Sequence, residues 1–347
     1  MNLYGKTLTE LSELAASEGL PKYSAGQIAH WLYRQHATSL EQMTNLPKAV
    51  RQRLSERHSV QLAPPIRTTE SKDGTKKYLF AVGDRYVETA YIPEANRSTL
   101  CVSSQVGCAM GCEFCATGRQ GFQQHLSEGQ ILNQLRSIPE FDRVSNIVFM
   151  GMGEPLNNLE SVLRATEVLT APWGMGWSPK RITVSTVGLL PPLRRFLVQS
   201  RCHLAVSMHT PFADERASMM PVERAHPIAQ VVEELRRHRW TGQRRVSFEY
   251  TMIRGLNDTP RHVEGLLRLL AGLECRINLI ALHPTPDSRF SPSPAETMVR
   301  FRDALSERGI TTTIRASRGL DINAACGLLS TAEQQAHIPS STNYISQ

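Results

Sequence analysis

The chain has 347 residues, 41% of them hydrophobic and 20% charged, a composition that buries a full core and excludes a disordered polymer. Its formal net charge of +7 favours an anionic partner without naming one. The N-terminus, MNLYGKTLTELSEL, lacks a signal-type apolar core, and no later stretch offers about 18 uncharged apolar residues; a cytoplasmic protein with no membrane partner is expected.

Residues 1–60 read as a small helical module, with 3.6-type apolar spacing over Thr7 to Glu18, Ser24 to Gln35 and Pro47 to His58. Residues 61–100 form an extension: KKYLFAV and RYVETAYIPE, separated by Gly83-Asp84, predict a β-hairpin. From residue 101 to 332, strand and helix patterns alternate. The strands are SNIVFMG, RITVSTVG, CHLAVSMH, RRVSFEYTMI, RINLIAL and TTTIRAS, with amphipathic helices between them. About six such units imply an α/β fold with a parallel sheet under helices, either a partial barrel or an open doubly wound sheet. Both architectures put the chemistry at the C-terminal strand ends. Residues 333–347 read as a tail.

One basic run stands out. RRHRWTGQRR, Arg236 to Arg245, holds five arginines and no acid; it reads as a helix C-terminus followed by a solvated loop, or as a contact to an RNA backbone.

Four of the seven cysteines fall in CVSSQVGCAMGCEFCATG, Cys101 to Gly118. In a reducing compartment such clustering points to metal binding or catalysis rather than disulfides. Cys108, Cys112 and Cys115 form C-x3-C-x2-C. A helical apolar face is a poor account, because Gly107, Gly111 and Gly118 interrupt it. Zinc would need a fourth ligand, for which Cys101 or His125 is available. Three thiolates suit a [4Fe–4S] cluster with one iron left open.

The C-x3-C-x2-C motif, with Phe114 before its third cysteine, resembles the radical SAM superfamily. VETAYIPE, CVSSQVGCAMGCEFCATG, VFMGMGEPLNN and RGLDINAACG, in that order, resemble the RlmN/Cfr family of RNA-methylating enzymes, and QMTNLPKAVRQRL extends the likeness into the helical module. The resemblance implies a partial (β/α)6 radical SAM barrel with an N-terminal helical, RNA-binding domain and a β-hairpin extension. It also implies a [4Fe–4S] cluster on Cys108, Cys112 and Cys115, and two molecules of S-adenosylmethionine (SAM) per turnover, one as methyl donor and one as radical source.

Further roles follow from the resemblance. Cys326 takes a methyl group and becomes S-methylcysteine. A radical formed from the second SAM removes hydrogen from that methyl, and the carbon adds to adenine. Cys101 then attacks the Cys326 sulfur and frees the base as a disulfide forms, and Glu88 accepts a proton. SAM contacts match Gly153 and Glu154, Ser185, and Ser207, Met208 and His209. His283 stands where the family commonly has asparagine. The implied product is C2-methyladenosine in 23S rRNA, in the peptidyl transferase region, and in the tRNA anticodon loop. Reduced flavodoxin or ferredoxin is the expected electron donor to a monomeric enzyme. The alternatives are C8 methylation and, in a different class, a zinc-stabilised RNA-binding protein without catalysis.

Overall fold

The computed structural model describes residues 1–241, 244–285 and 288–331; the tail expected over 333–347 lies outside them. Helices α1 (Leu8–Ser17), α2 (Ser24–Tyr33) and α3 (Lys48–Arg57) open the chain. Thr7 caps α1 in a reciprocal box with Glu10, satisfying two backbone donors at the helix start. Leu11, Leu14, Ile28 and Leu32 bury the inner faces. Tyr33 fixes this module in place: its hydroxyl donates to the Lys6 carbonyl at 2.6 Å, and its ring leans on Trp173 with centroids 6.0 Å apart.

Next come β1 (Arg67–Glu70), β2 (Lys76–Val82), β3 (Arg85–Pro93) and β4 (Ser98–Cys101), all paired antiparallel in order. The expected hairpin is β2–β3, turning at Gly83-Asp84. β1 was not legible: its RTTE sequence is mostly exposed and shows no apolar alternation.

From β4 the sheet turns parallel. A small antiparallel pair, β5 (Gln105–Val106) and β6 (Gln124–His125), brackets the cysteine loop and α4 (Ala116–Gln120), and α5 (Glu128–Arg136) follows. Then β7 (Asn146–Phe149), α6 (Leu159–Thr170), β8 (Ile182–Thr186), α7 (Leu190–Gln199) and β9 (His203–Ser207) alternate. They are succeeded by α8 (Ala213–Met219), α9 (Ile228–Arg237), β10 (Val246–Met252), α10 (Pro260–Leu269), β11 (Arg276–Ala281), α11 (Ala295–Ser306) and β12 (Thr311–Arg315). The strand order is β1-β2-β3-β4-β7-β8-β9-β10-β11-β12, without hydrogen-bonded closure of β12 onto β4. The crossovers between parallel strands each carry a helix, so the outer face is covered while the inner face lines a cleft. This is an α/β partial barrel, one of the two architectures the alternating strands and helices left open. No helix among the described residues is long and apolar enough to cross a membrane.

Part of the arginine run is built into the fold, while Arg237, Arg239 and Arg245 stay exposed. Arg244 donates to the Cys202 and Leu197 carbonyls at 2.9 and 2.8 Å and lies over the rings of Phe196 and Trp240. Arg236 reaches Glu233 and the Leu269 carbonyl. The run precedes β10, at the end of the sheet opposite the C-terminal strand ends.

Candidate active site

The cysteine loop closes on itself. Cys108 N–H donates to Gly121 at 3.0 Å and Cys115 N–H to Cys112 at 3.1 Å. Gly107 has φ +69°, and a Cβ there would stand 1.7 Å from the Gly121 carbonyl oxygen, so only glycine permits the turn. The Cys108 sulfur accepts from the Met110 N–H, and the Cys115 sulfur from those of Thr117 and Gly118. Hydrogen bonds of this kind tune thiolate ligands of iron–sulfur clusters. Burial pushes the Cys108 thiol up to about 12 and raises Cys112 and Cys115 as well. Loading a metal therefore means displacing protons.

All three cysteines line one cleft of about 950 Å³, including its open mouth. Among the described residues no three His, Cys, Asp or Glu side chains converge on one ion-sized point. Three thiols in one cleft match the ligand number of a [4Fe–4S] cluster with an open iron; a structural zinc site needs four ligands.

The strand ends bring most of the expected contacts to the same cleft: Gly153, Glu154, Ser185, Ser207, His209 and His283 line it. Gly153 has φ +97°, and a Cβ there would meet Gln105 at 2.5 Å, so the backbone approaches as only glycine can. The Glu154 carboxylate accepts from the Leu156 and Val187 N–H groups at 3.0 and 2.9 Å, which joins the ends of β7 and β8. Burial raises this carboxyl to about 7. His209, at φ +61°, accepts the Thr251 N–H on Nδ1 at 2.9 Å, so its ring proton sits on Nε2. Burial, reinforced by Arg216, holds this ring neutral, down to about 3. The ring stands edge-on to Phe114 at 4.8 Å. His283 Nε2 lies 2.9 Å from Ser317 Oγ, which ties the strand end to the segment carrying Cys326.

Met208 differs from its neighbours in that only its backbone is left to meet a cofactor. Side chains alternate along an extended strand, so Ser207 and His209 face the cleft while Met208 turns into the core, fully buried.

The segment after β12 crosses the open side of the barrel. Asp321 accepts from Ser71 Oγ at 2.5 Å and from the Lys72 N–H at 3.2 Å, Ala116 N–H donates to Gly327 at 2.8 Å, and Thr117 Oγ1 donates to Leu329 at 2.6 Å. Cys326 is thereby held exposed on the cleft wall. Cys101, at the end of β4, is buried behind it in a small apolar cluster with Ala90 and Ala324. Burial pushes the Cys101 thiol up to about 12, with Cys326 adding to the effect and Arg315 opposing it.

Glu88 does not line the cleft. It is buried in β3, with Lys77 Nζ at 3.0 Å and the Ser330 N–H donating at 3.0 Å. Ala90 pairs directly with Cys101, so Glu88, two residues from Ala90, shares the Cys101 face of the sheet. Burial raises its carboxyl, against the pull of Lys77.

Sequence reasoning missed three charged groups. Arg216, fully buried, donates to the Val187 and Ser207 carbonyls at 2.7 and 2.9 Å and fastens the ends of β8 and β9. Glu249 and Arg315 line the cleft from β10 and β12. A carboxylate amid the otherwise strand-forming SFEYT was the available signal for Glu249.

Residues 102–270 match the Radical SAM superfamily, and residues 1–60 match the ribosomal RNA large subunit methyltransferase N-terminal domain. The chain is 51% identical to a probable dual-specificity RNA methyltransferase RlmN of Bacteroides thetaiotaomicron, over 96% of this chain and 97% of that one. The chain belongs to the RlmN family of radical SAM methyltransferases. A second member, the dual-specificity RNA methyltransferase RlmN of Syntrophus aciditrophicus, is 41% identical over 95% of this chain and 96% of its own length. The crystal structure of a radical SAM methyltransferase from Sphaerobacter thermophilus, 44% identical, matches with a TM-score of 0.87 over 95% of this chain and 99% of that chain. Family membership makes the chain a SAM-dependent RNA methyltransferase that works with a [4Fe–4S] cluster.

Proposed function

We propose that the enzyme methylates C2 of an adenosine in the peptidyl transferase region of 23S rRNA and of an adenosine in the tRNA anticodon loop. In this reading two SAM molecules are used per turnover and Cys326 carries the methyl group. The supporting observation is a single cleft that gathers Cys108, Cys112, Cys115 and Cys326, with Cys101 packed behind the Cys326 segment. The words "dual-specificity" in the relatives' names support two RNA substrates.

Cys108, Cys112 and Cys115 would hold the cluster, and Gly153, Glu154, Ser185, Ser207, His209 and His283 would surround SAM. When bound, and supplied with an electron by reduced flavodoxin or ferredoxin, they provide a sulfonium methyl and a carbon radical able to remove a hydrogen atom. The exposed Cys326 Sγ accepts the methyl, losing its proton as the new S–C bond forms. Its position on the cleft wall opens that sulfur to the same cleft that Cys108, Cys112 and Cys115 line. The target base must arrive unstacked, as single-stranded and loop RNA permits.

Once the carbon is joined to the base, Glu88 would accept the ring proton; it lies outside the cleft on the sheet face of Cys101, and burial raises its carboxyl, which favours holding a proton. Release is thiol exchange. Cys101 Sγ attacks Cys326 Sγ, an S–S bond forms as the S–C bond breaks, and the carbon takes a proton to become the methyl group.

Two variants test this division of labour. Cys326→Ala should retain iron and bind SAM yet never become methylated or couple to RNA. Cys101→Ala should be methylated and stall with RNA attached through Cys326. Digestion and mass spectrometry of both, purified from cells, reads the result; no adduct on Cys101→Ala, or normal turnover by Cys326→Ala, removes the carrier mechanism. Mapping the modified carbon separates C2 from C8.

A further inference from the structure

The cleft wall formed by β10 to β12 carries a carboxylate oxygen that no group among the described residues hydrogen-bonds. Glu249 is 3% exposed and lines the cleft. Its Oε1 accepts from Ser247 Oγ at 3.1 Å and from Asn278 Nδ2 at 2.8 Å, and Thr313 Oγ1 donates to Asn278 Oδ1 at 2.8 Å. This ladder fixes the carboxylate plane. Among the described residues Oε2 has no hydrogen-bond partner; Arg315 Nη1, at 3.8 Å, forms an ion pair with it that is too long for a hydrogen bond. A buried charged oxygen left without a donor is costly, so each such group calls for an explanation.

Arg315 supplies the complementary half. It too lines the cleft, and the hydrogen bond it makes among the described residues goes to the Met150 sulfur at 3.1 Å, a weak acceptor. An open acceptor and an underused donor thus stand side by side, flanked by Phe149, Met150 and Ile280. An adenine edge offers the reverse pattern, an amino donor beside a ring-nitrogen acceptor.

Resting on the function proposed above, we propose that Glu249 Oε2 accepts a hydrogen bond from an adenine amino group while the Arg315 guanidinium donates to the adjacent ring nitrogen. The pair selects adenine against guanine and uracil, whose carbonyl in the amino position would face the carboxylate. Two adenines could present this edge, that of the target nucleotide and that of SAM.

The test uses the anaerobically purified holoenzyme and an anticodon stem–loop RNA with one loop adenosine, or purine riboside in its place, which lacks the amino group. Wild type should bind the adenosine RNA about 10-fold more tightly, the size of one hydrogen bond to a charged group. In Glu249→Gln the amide oxygen stays on Ser247 and Asn278 and turns the NH2 to the cleft, so the preference should fall to about 2-fold or less. A parallel arm compares S-adenosylhomocysteine with its 6-deamino counterpart. Loss of preference in the RNA arm assigns the pair to the target base; loss in the cofactor arm alone assigns it to SAM. An unchanged preference in both overturns the proposal.

Arg315→Gln is tested with RNA carrying 1-deaza- or 7-deazaadenosine. Loss of discrimination against one names the ring nitrogen, and unchanged discrimination against both removes Arg315 from the site. Iron content and circular dichroism confirm that each variant is folded. If the wild type methylates no adenosine, the functional reading fails; if it does and Glu249→Gln keeps the full preference in both arms, only the present inference fails.

Discussion

The loop from Gly107 to Gly118 and the segment from Ala316 to Thr331 both bring sulfur to the cleft, and they are held there differently. In the first, most partners are near in sequence: Cys112 with Cys115, Cys115 with Arg119, Cys108 with Gly121, and backbone N–H groups on the sulfurs. The second has one short turn, Leu320–Ile322, and its anchors are remote: Ser71, Asp73, Glu88 and Thr117. Local closure gives a fixed cage of half-buried or buried thiols. Distant anchors give a strap that leaves Cys326 exposed for chemistry on its own sulfur.

The comparison breaks most completely at the cage. Replacing any one of Cys108, Cys112 or Cys115 by alanine should abolish iron content and SAM cleavage, because three ligands leave none to spare; iron and sulfide analysis checks this. Alanine at Cys326 should leave the iron untouched.

Acid should act on the cage side next. Burial depresses His209 from its ordinary 6.5 to about 3, so between those values the unfolded chain takes up a proton that the native ring refuses. Its contribution to stability is complete above about pH 6.5 and is lost as pH falls toward 3. Unfolding measured across that range should steepen in wild type relative to His209→Asn. Equal slopes would show that the ring beneath Phe114 carries no such penalty.

The smallest effect belongs to the strap. Asp321→Ala removes the acceptor of Ser71 and Lys72; limited proteolysis of the segment should become a few-fold faster while iron content stays constant. Loss of iron instead would mean that the two loops are one mechanical unit.

The same contrast explains what the sequence disclosed. C-x3-C-x2-C is legible because its geometry is local, and the parallel strands because apolar runs such as SNIVFMG recur between amphipathic helices. The inward turn of the Met208 side chain was not legible in a motif read as three consecutive contacts, because such a reading does not register the alternation of an extended strand. Arg216 and Arg244 stay hidden since their roles depend on carbonyls far away in the chain. The Glu249–Arg315 pairing spans two strands with another between them, and no spacing rule reports that distance.

The sheet does not close by hydrogen bonds from β12 to β4, and the Cys326 segment crosses that side, touching β3 through Glu88 and Tyr86. On the proposed function, wall and reagent are therefore the same piece of chain. A genetic screen scoring only loss of activity between Ala316 and Thr331 could not sort architectural lesions from chemical ones, since each substitution risks both. Separating them takes a paired assay, one reporting whether the barrel is shut and another whether Cys326 has been methylated.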